Sequence, residues 1–409
     1  MNFREIADLE KRTLIPTYER LPLLAVRGEG CFLFDENGKR YLDFLGGLAV
    51  NSLGYAHPEI AEVLRDPSES LLHVSNLIYH RYQAPLAEKL TKLSGLDRAF
   101  FANTGTEAVE GALKLARAWA RKNAKGAASE RYELLALENS FHGRTFGALS
   151  STWPEKYRKP FEPLLPGVKF IRSNDVAHLR ESFTPAVGAL ILEVIQGEGG
   201  VVELHEDFLK EAERLCRANG AILICDEIQC GLGRTGRWFA YQKFGLKPDI
   251  VLVAKPLAAG LPLAAILARE EVALAFSPGM HGTTFGGGPL QCRLALKYLE
   301  ILGRPGFLEQ VRERGAYFRG QLERLKAELP IIREVRGDGL MLAAELDAPG
   351  KDAVRQGLEA GLIFNCTQER VLRFLPPLVI ERSHVDTLIA GLRPILTSLE
   401  APKTQGVHA

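Results

Sequence analysis

The middle of the chain contains short runs that are nearly all apolar, and these constrain its fold more than any other feature. Ala189–Ile195, broken only by Glu193, and Ala221–Cys225 and Ile250–Ala254 are the clearest. A strand with one face in water alternates apolar and polar residues, whereas a strand covered on both faces need not, as in a parallel sheet. Between the first two runs, Phe208–Asn219 keeps helical spacing and stops at Gly220, a residue free to adopt a left-handed cap. Ala99–Ala102, Glu133–Leu137 and Val168–Ile171 read as further strands. Thr106–Arg121 reads as a helix, with Ala108, Ala112, Leu115 and Trp119 on one stripe. Strand and helix in this alternation predict an α/β fold with a mostly parallel central sheet.

The 409 residues are enough for two domains sharing a large core. The pattern changes near residue 300. Leu308, Val311, Phe318, Leu322 and Leu325 share one face of a charged helix, followed by strand-like Ile331–Val335 and Leu340–Leu346, a helix over Lys351–Ala360, and Val371–Phe374. At the other end, Cys31–Phe34, a turn at Asn37–Gly38 and Tyr41–Phe44 read as a hairpin. We expect residues 1–45 and 300–400 to form one smaller α+β domain, residues 46–299 the large domain, and 401–409 a tail.

Composition excludes several classes. The formal net charge of +1 comes without a basic block, which argues against nucleic-acid or anionic-membrane partners. The first residues are polar and lack the apolar core of a secretory signal, and no apolar run reaches the roughly 18 residues of a membrane span. The six cysteines show neither CxxC nor zinc-ligand spacing; free thiols in a reducing cytoplasm and no metal are the expectation. Gly231-Leu-Gly-Arg-Thr-Gly236 matches a dinucleotide fingerprint, but Asp226–Gln229 separates it from its strand and no helix start follows. A glycine-rich loop shaping an active-site wall is the better reading.

Ligands of open α/β sheets sit beyond the carboxyl ends of the strands. Asp226 ends one buried run and Lys255 ends the next. Taken alone, the two could be a simple ion pair. Asn103-Thr-Gly-Thr-Glu107 adds a strand-to-helix turn in which Gly105, Thr106 and the free N–H groups of a helix start make an anion site. Ser140-Phe-His-Gly-Arg144 adds an aromatic face and an arginine fork. A phosphate cradle, an aromatic face, a carboxylate and an amine together match the needs of pyridoxal phosphate (PLP).

At this point the chain resembles the class III, fold type I, PLP-dependent aminotransferases from about Leu23 to Ile380. The segments that carry the likeness include Asn103-Thr-Gly-Thr-Glu-Ala, Phe141-His-Gly-Arg-Thr, Glu193-Val-Ile-Gln-Gly-Glu-Gly-Gly, Cys225-Asp-Glu-Ile-Gln-Cys, Ala254-Lys-Pro-Leu, His281-Gly-Thr-Thr-Phe and Leu372-Arg-Phe-Leu-Pro-Pro. The resemblance implies that Lys255 is the Schiff-base lysine and proton carrier, and that Asp226 keeps the pyridine nitrogen protonated. It places Gln229 near the ring hydroxyl, Phe141 on the ring with His142 beside it, and Gly105 and Thr106 on the phosphate. It makes Glu193 part of the pocket lining, and it has Thr284 complete the phosphate site of a neighbouring subunit, hence a homodimer.

Within class III the chain is most similar to the acetylornithine aminotransferases. That implies transfer of the δ-amino group of N2-acetylornithine to 2-oxoglutarate, in arginine biosynthesis. Arg144 would hold the donor's α-carboxylate while Glu198 masks Arg373. With glutamate bound, Glu198 would swing away and Arg373 would take the α-carboxylate, with Thr283 close to the substrate. The tyrosine that ornithine aminotransferases place near Gly47 or Leu48 is missing, which leaves an apolar patch suited to an acylated amine. Ornithine, succinylornithine, a lysine-pathway aminoadipate derivative and 4-aminobutyrate stay open as donors, as do an aminomutase and a non-catalytic PLP-binding regulator. Three positions depart from the family pattern: Val194, Pro256-Leu-Ala-Ala and Gly288.

Overall fold

Seven strands share one sheet in the computed structural model, which describes residues 1–66, 70–123 and 131–400. The expected tail at 401–409 lies outside the described residues. In chain order, an N-terminal meander of β1 (Ala25–Glu29), β2 (Phe32–Asp35) and β3 (Arg40–Asp43) precedes β4 (Arg98–Ala102), β5 (Glu133–Leu137), β6 (Val168–Ile171) and β7 (Val187–Leu192). A two-residue pair, β8 (Ile195–Gln196) and β9 (Val202–Glu203), follows, then β10 (Ile222–Asp226), β11 (Ile250–Val253) and β12 (Ala264–Ala268). The C-terminal third adds β13 (Ile332–Asp338), β14 (Met341–Leu346), β15 (Leu362–Ile363), β16 (Asn365–Thr367) and β17 (Val371–Phe374).

The large sheet has the order β4-β12-β11-β10-β7-β5-β6. Its pairings are parallel from β11 through β10, β7 and β5 to β6, and antiparallel where β12 meets β11 and β4. All residues of β7, β10, β11 and β12 are buried, the condition their apolar sequences predict. The helix Glu206–Asn219 ends on Gly220 at φ 65°, as its sequence requires.

Two strands differ from the pattern-based reading. The run expected over Ala189–Ile195 divides at Glu193, because that buried carboxylate accepts N–H bonds from Phe141 and Gly197, which lie outside the sheet. The alanine-rich β12 is a strand that the pattern does not announce: alanine has little strand preference, and burial rather than propensity makes the segment extended. An amphipathic helix, Phe3–Thr13, also forms where the sequence looked merely polar; it opens with an Asn2–Glu5 capping box.

Chain ends meet in a second sheet, where β15 pairs parallel with β3. Cys31, Leu42 and Phe44 pack in one cluster with residues of the C-terminal third. Phe44, Phe318 and Phe374 make edge-to-face contacts, with centroids 5.3 Å apart for Phe44–Phe318 and 5.4 Å for Phe318–Phe374. The glycine-rich loop Gly231–Gly236 does not line the cavity that holds Lys255 and Asp226, contrary to expectation. Its Arg234 is buried and spans the join between the two parts, donating to the carbonyls of Leu340 and Pro376 and to Ser52 Oγ. Burial lowers this guanidinium to a pKa of about 10.

All six cysteines are free. Among the described residues no helix is long and apolar enough to cross a membrane.

Phe318→Ala should cost about 3–5 kcal/mol, because the ring is fully buried between the two chain ends. Urea unfolding should show that loss, and a loss under 1 kcal/mol would mean that the aromatic cluster does not hold the ends together.

Candidate active site

The helix Gly105–Lys122 begins directly after β4. Thr104 is its N-cap and Glu107 completes a capping box. The N–H groups of Gly105 and Thr106 have no acceptor inside the helix. The Thr106 hydroxyl is engaged: it accepts the N–H groups of Arg144 and Thr145, each at 3.2 Å, and lies 2.9 Å from Thr145 Oγ1. The anion donors left at this helix start are therefore chiefly backbone. The turn that reaches Thr106 needs Gly143, at φ 137°, where a Cβ would fall 2.3 Å from the Thr106 hydroxyl.

Asp226 ends β10, and among the described residues the basic side chain bonded to its carboxylate is that of a histidine. Its Oδ2 lies 2.7 Å from His142 Nδ1, and its Oδ1 accepts the Ile228 N–H at 3.1 Å. Both residues are buried, and among the described residues His142 Nε2 has no hydrogen-bond partner. An ionised Asp226 requires His142 to carry its proton on Nδ1. Glu193 lies close by, and burial pushes its carboxyl up to about 7, with the Asp226 charge adding to the rise against the opposing effect of His142. Glu227, one residue beyond Asp226, is also raised to about 7 by burial, although it accepts the N–H groups of Ala240 and Tyr241 at 2.9 Å each.

Lys255 follows β11 at φ 33°, in the left-handed region, and opens a 3₁₀ turn that accommodates Pro256. Desolvation lowers its ammonium pKa; the charges of Asp226 and Glu198 oppose that effect and Arg373 adds to it. An amine shifted this way is closer to the neutral form that nucleophilic and base chemistry needs. The other departures are equally mild. Gly288 caps the helix Pro289–Leu302 without a side-chain bond, and Val194 is buried.

One cavity of about 460 Å³ joins these groups, lined by Gly105, Thr106, Phe141, His142, Arg144, Glu193, Glu198, Asp226, Gln229 and Lys255. Arg373 lies behind it, buried, with Nη1 2.6 Å from Glu198 Oε1 and 3.4 Å from Gln229 Oε1, and Nε 3.2 Å from Asn365 Oδ1. Thr283 and Thr284 are not in this cavity. They border a second one of about 340 Å³, which shares Asn103 with the first, and Asn103 Nδ2 donates to Thr283 Oγ1 at 3.2 Å.

The sequence reading misses Val50, Ile228 and the wall formed by Gly260, Leu261, Pro262 and Leu263. The wall is the connection from β11 to β12, and it becomes visible only once β12 is recognised as a strand. Leu48, on the segment expected to form an apolar patch, is exposed and sits in a left-handed turn with Gly46, Gly47 and Ala49; Val50 is the residue that reaches the cavity.

A cavity with a helix-start anion site, a ring-sized apolar wall at Phe141, a histidine-held carboxylate and a desolvated lysine fits PLP, and on an α/β sheet of this order it defines an aminotransferase of fold type I. Comparisons with known proteins agree. The aminotransferase class-III family model matches residues 15–396, and the chain belongs to that family. Among curated relatives, the acetylornithine aminotransferase of Aquifex aeolicus is 48% identical over 94% of this chain and 99% of its own length. That of Methanocaldococcus jannaschii is 45% identical over 96% and 98%. Among solved structures, the ornithine aminotransferase of Toxoplasma gondii aligns at a TM-score of 0.92 with 34% identity, covering 98% of this chain and 96% of that one. The acetylornithine aminotransferase of Elizabethkingia anophelis aligns at 0.86 with 31% identity, covering 97% and 100%.

The two buried glutamates predict a pH effect on stability. Each has a folded pKa of about 7, above its ordinary 4.5, so the folded state holds the extra protons. Their contribution is complete below pH 4.5 and is lost as pH rises through 7. Glu227→Gln should flatten the decline in unfolding free energy between pH 5 and 8, measured by urea titration at each pH. An unchanged slope would refute the assignment.

Proposed function

We propose that the protein transfers the δ-amino group of N2-acetylornithine to 2-oxoglutarate, yielding N-acetylglutamate 5-semialdehyde and glutamate, a step of arginine biosynthesis. The observation that carries this reading is the Glu198–Arg373 contact in a cavity whose other arginine, Arg144, pairs with no carboxylate among the described residues. Arg373 is buried, and a buried cation left alone is costly. Glu198 satisfies it while the donor is bound and leaves Arg144 as the carboxylate-holding group. When a dicarboxylic substrate enters, its α-carboxylate replaces Glu198 on Arg373 and its second carboxylate goes to Arg144, so the buried cation keeps an anionic partner in both half-reactions. Gln229 and Asn365 fix Arg373 in place throughout.

The cofactor, when bound, acts as an electron sink for the bond broken at the substrate carbon. Around it, the N–H groups of Gly105 and Thr106 would hold its phosphate, Phe141 would offer its ring an apolar face, and Asp226, oriented by His142, would keep its pyridine nitrogen protonated. Gln229 would serve the ring hydroxyl, and Glu193 fixes the Phe141 backbone against the pocket. Lys255 would hold and move the proton at its Nζ, a task suited to an amine whose pKa burial has lowered.

We further read the protein as a cytoplasmic homodimer in which Thr284 of one subunit serves the other's phosphate site and Thr283 approaches the substrate. Support comes from the position of both threonines outside this chain's own cavity and from exposed apolar side chains nearby, among them Leu77, Ile78, Tyr79 and Phe285. Residues 1–45 and 300–400 are then the small domain that carries Arg373 to the cavity.

A donor panel tests the substrate. With 2-oxoglutarate as acceptor, N2-acetylornithine should exceed ornithine, succinylornithine and 4-aminobutyrate in kcat/KM by at least about tenfold, a difference of about 1.4 kcal/mol. Preference for another donor would overturn the substrate. Lys255→Ala should abolish turnover. Glu198→Ala should lower kcat/KM for the acetylated donor more than for glutamate; equal losses would refute the switch.

A further inference from the structure

We propose that Tyr157 is a positioning residue whose ring is the platform that aims Arg144 at the substrate carboxylate. The proposal rests on the reading of Arg144 as the residue that holds that carboxylate. Arg144 is exposed at the rim of the cavity, and among the described residues no carboxylate pairs with its side chain. An unattached arginine has rotamer entropy to lose on binding. Here that freedom is already restricted. The Arg144 guanidinium carbon lies over the Tyr157 ring, 3.7 Å from its centroid, and over the Phe141 ring at 5.4 Å.

Stacking uses the flat face of a guanidinium and leaves its in-plane N–H fork free, and the fork is what a carboxylate engages. Phe141 lines the cavity and is assigned to the cofactor face, so the closer and more dedicated support is Tyr157. The tyrosine does not itself line the cavity, and its contact with a cavity-lining cation is its ring under Arg144. Its own position is held from both sides. It lies on the short helix Glu155–Arg158, entered by the Trp153 N–H bond to the Ser140 carbonyl at 2.9 Å. The helix is left through Arg158, which donates to the Trp153 carbonyl and stacks on Phe170 at 4.6 Å. The Ser140–Thr145 turn and the Tyr157 helix are thus one unit, with the arginine on one limb and its platform on the other.

The test compares Tyr157→Leu, Tyr157→Phe, Arg144→Ala and the double variant Arg144→Ala/Tyr157→Leu in the PLP-loaded enzyme. Readouts are KM and kcat for N2-acetylornithine and the calorimetric Kd of glutarate, an unreactive dicarboxylate. Tyr157→Leu should raise KM and the glutarate Kd by about three- to thirtyfold, the range of a cation–π contact, and change kcat less than twofold. Tyr157→Phe, which keeps the ring, should stay within about twofold of the parent on every readout. In the Arg144→Ala background, Tyr157→Leu should add nothing. Unchanged KM and Kd in Tyr157→Leu, an equal loss with or without Arg144, a loss in kcat alone, or a loss in Tyr157→Phe as large as in Tyr157→Leu would each overturn the proposal. If Arg144→Ala itself leaves KM and Kd unchanged, the underlying reading of Arg144 fails instead.

Discussion

A sheet covered on both faces cannot hold an unpaired charge within it, and the site depends on this constraint. β7, β10 and β11 are apolar until their carboxyl ends, where Glu193, Asp226 and Lys255 appear in turn. The charged groups converge because they have nowhere else to be. The same desolvation that forces them to the strand ends then sets their chemistry. It lowers the lysine, raises two glutamates, and makes a carboxylate depend on a histidine for its partner. Positioning and tuning are therefore one physical effect acting at two scales.

The arginines show the complementary arrangement. Arg373 is buried and satisfied by Glu198, Gln229 and Asn365, so it can be exchanged between partners but not left bare. Arg144 is exposed and held by aromatic faces, so it is always open to an anion. On the proposed reading, one arginine is gated and the other constitutive, and a single cavity would in that way accept donors that differ by a carboxylate.

Much of this was legible in the sequence, and for identifiable reasons. Asp226 and Lys255 stand at the ends of runs too apolar to be anything but buried strands, and Gly105–Thr106 follow a strand into a helix with a cap already present at Thr104. What escaped was whatever depends on partners far apart in the chain. β12 could not be found from its alanines, so the Gly260–Leu263 wall went with it. The role of Arg234 depends on carbonyls at Leu340 and Pro376, and no local pattern reports that. The Thr106 hydroxyl looked free because the turn that occupies it comes 38 residues later. Tyr157 carries no motif, and only its distance from Arg144 singles it out.

The reversal of β12 has a consequence for how such a pocket can change. Because β12 runs against β11 and pairs with it, the connection between them is a wide hairpin pinned at both feet. Lys255 stands at one foot and Leu263 at the other, so the lysine amine and the Gly260–Leu263 wall belong to one covalent loop. Lengthening or shortening that loop would shift the reach of the lysine and the width of the cavity together. Divergence in substrate size is therefore easier at residues outside the hairpin, such as Val50 and the segment before it, where the cavity can be recontoured without disturbing the amine.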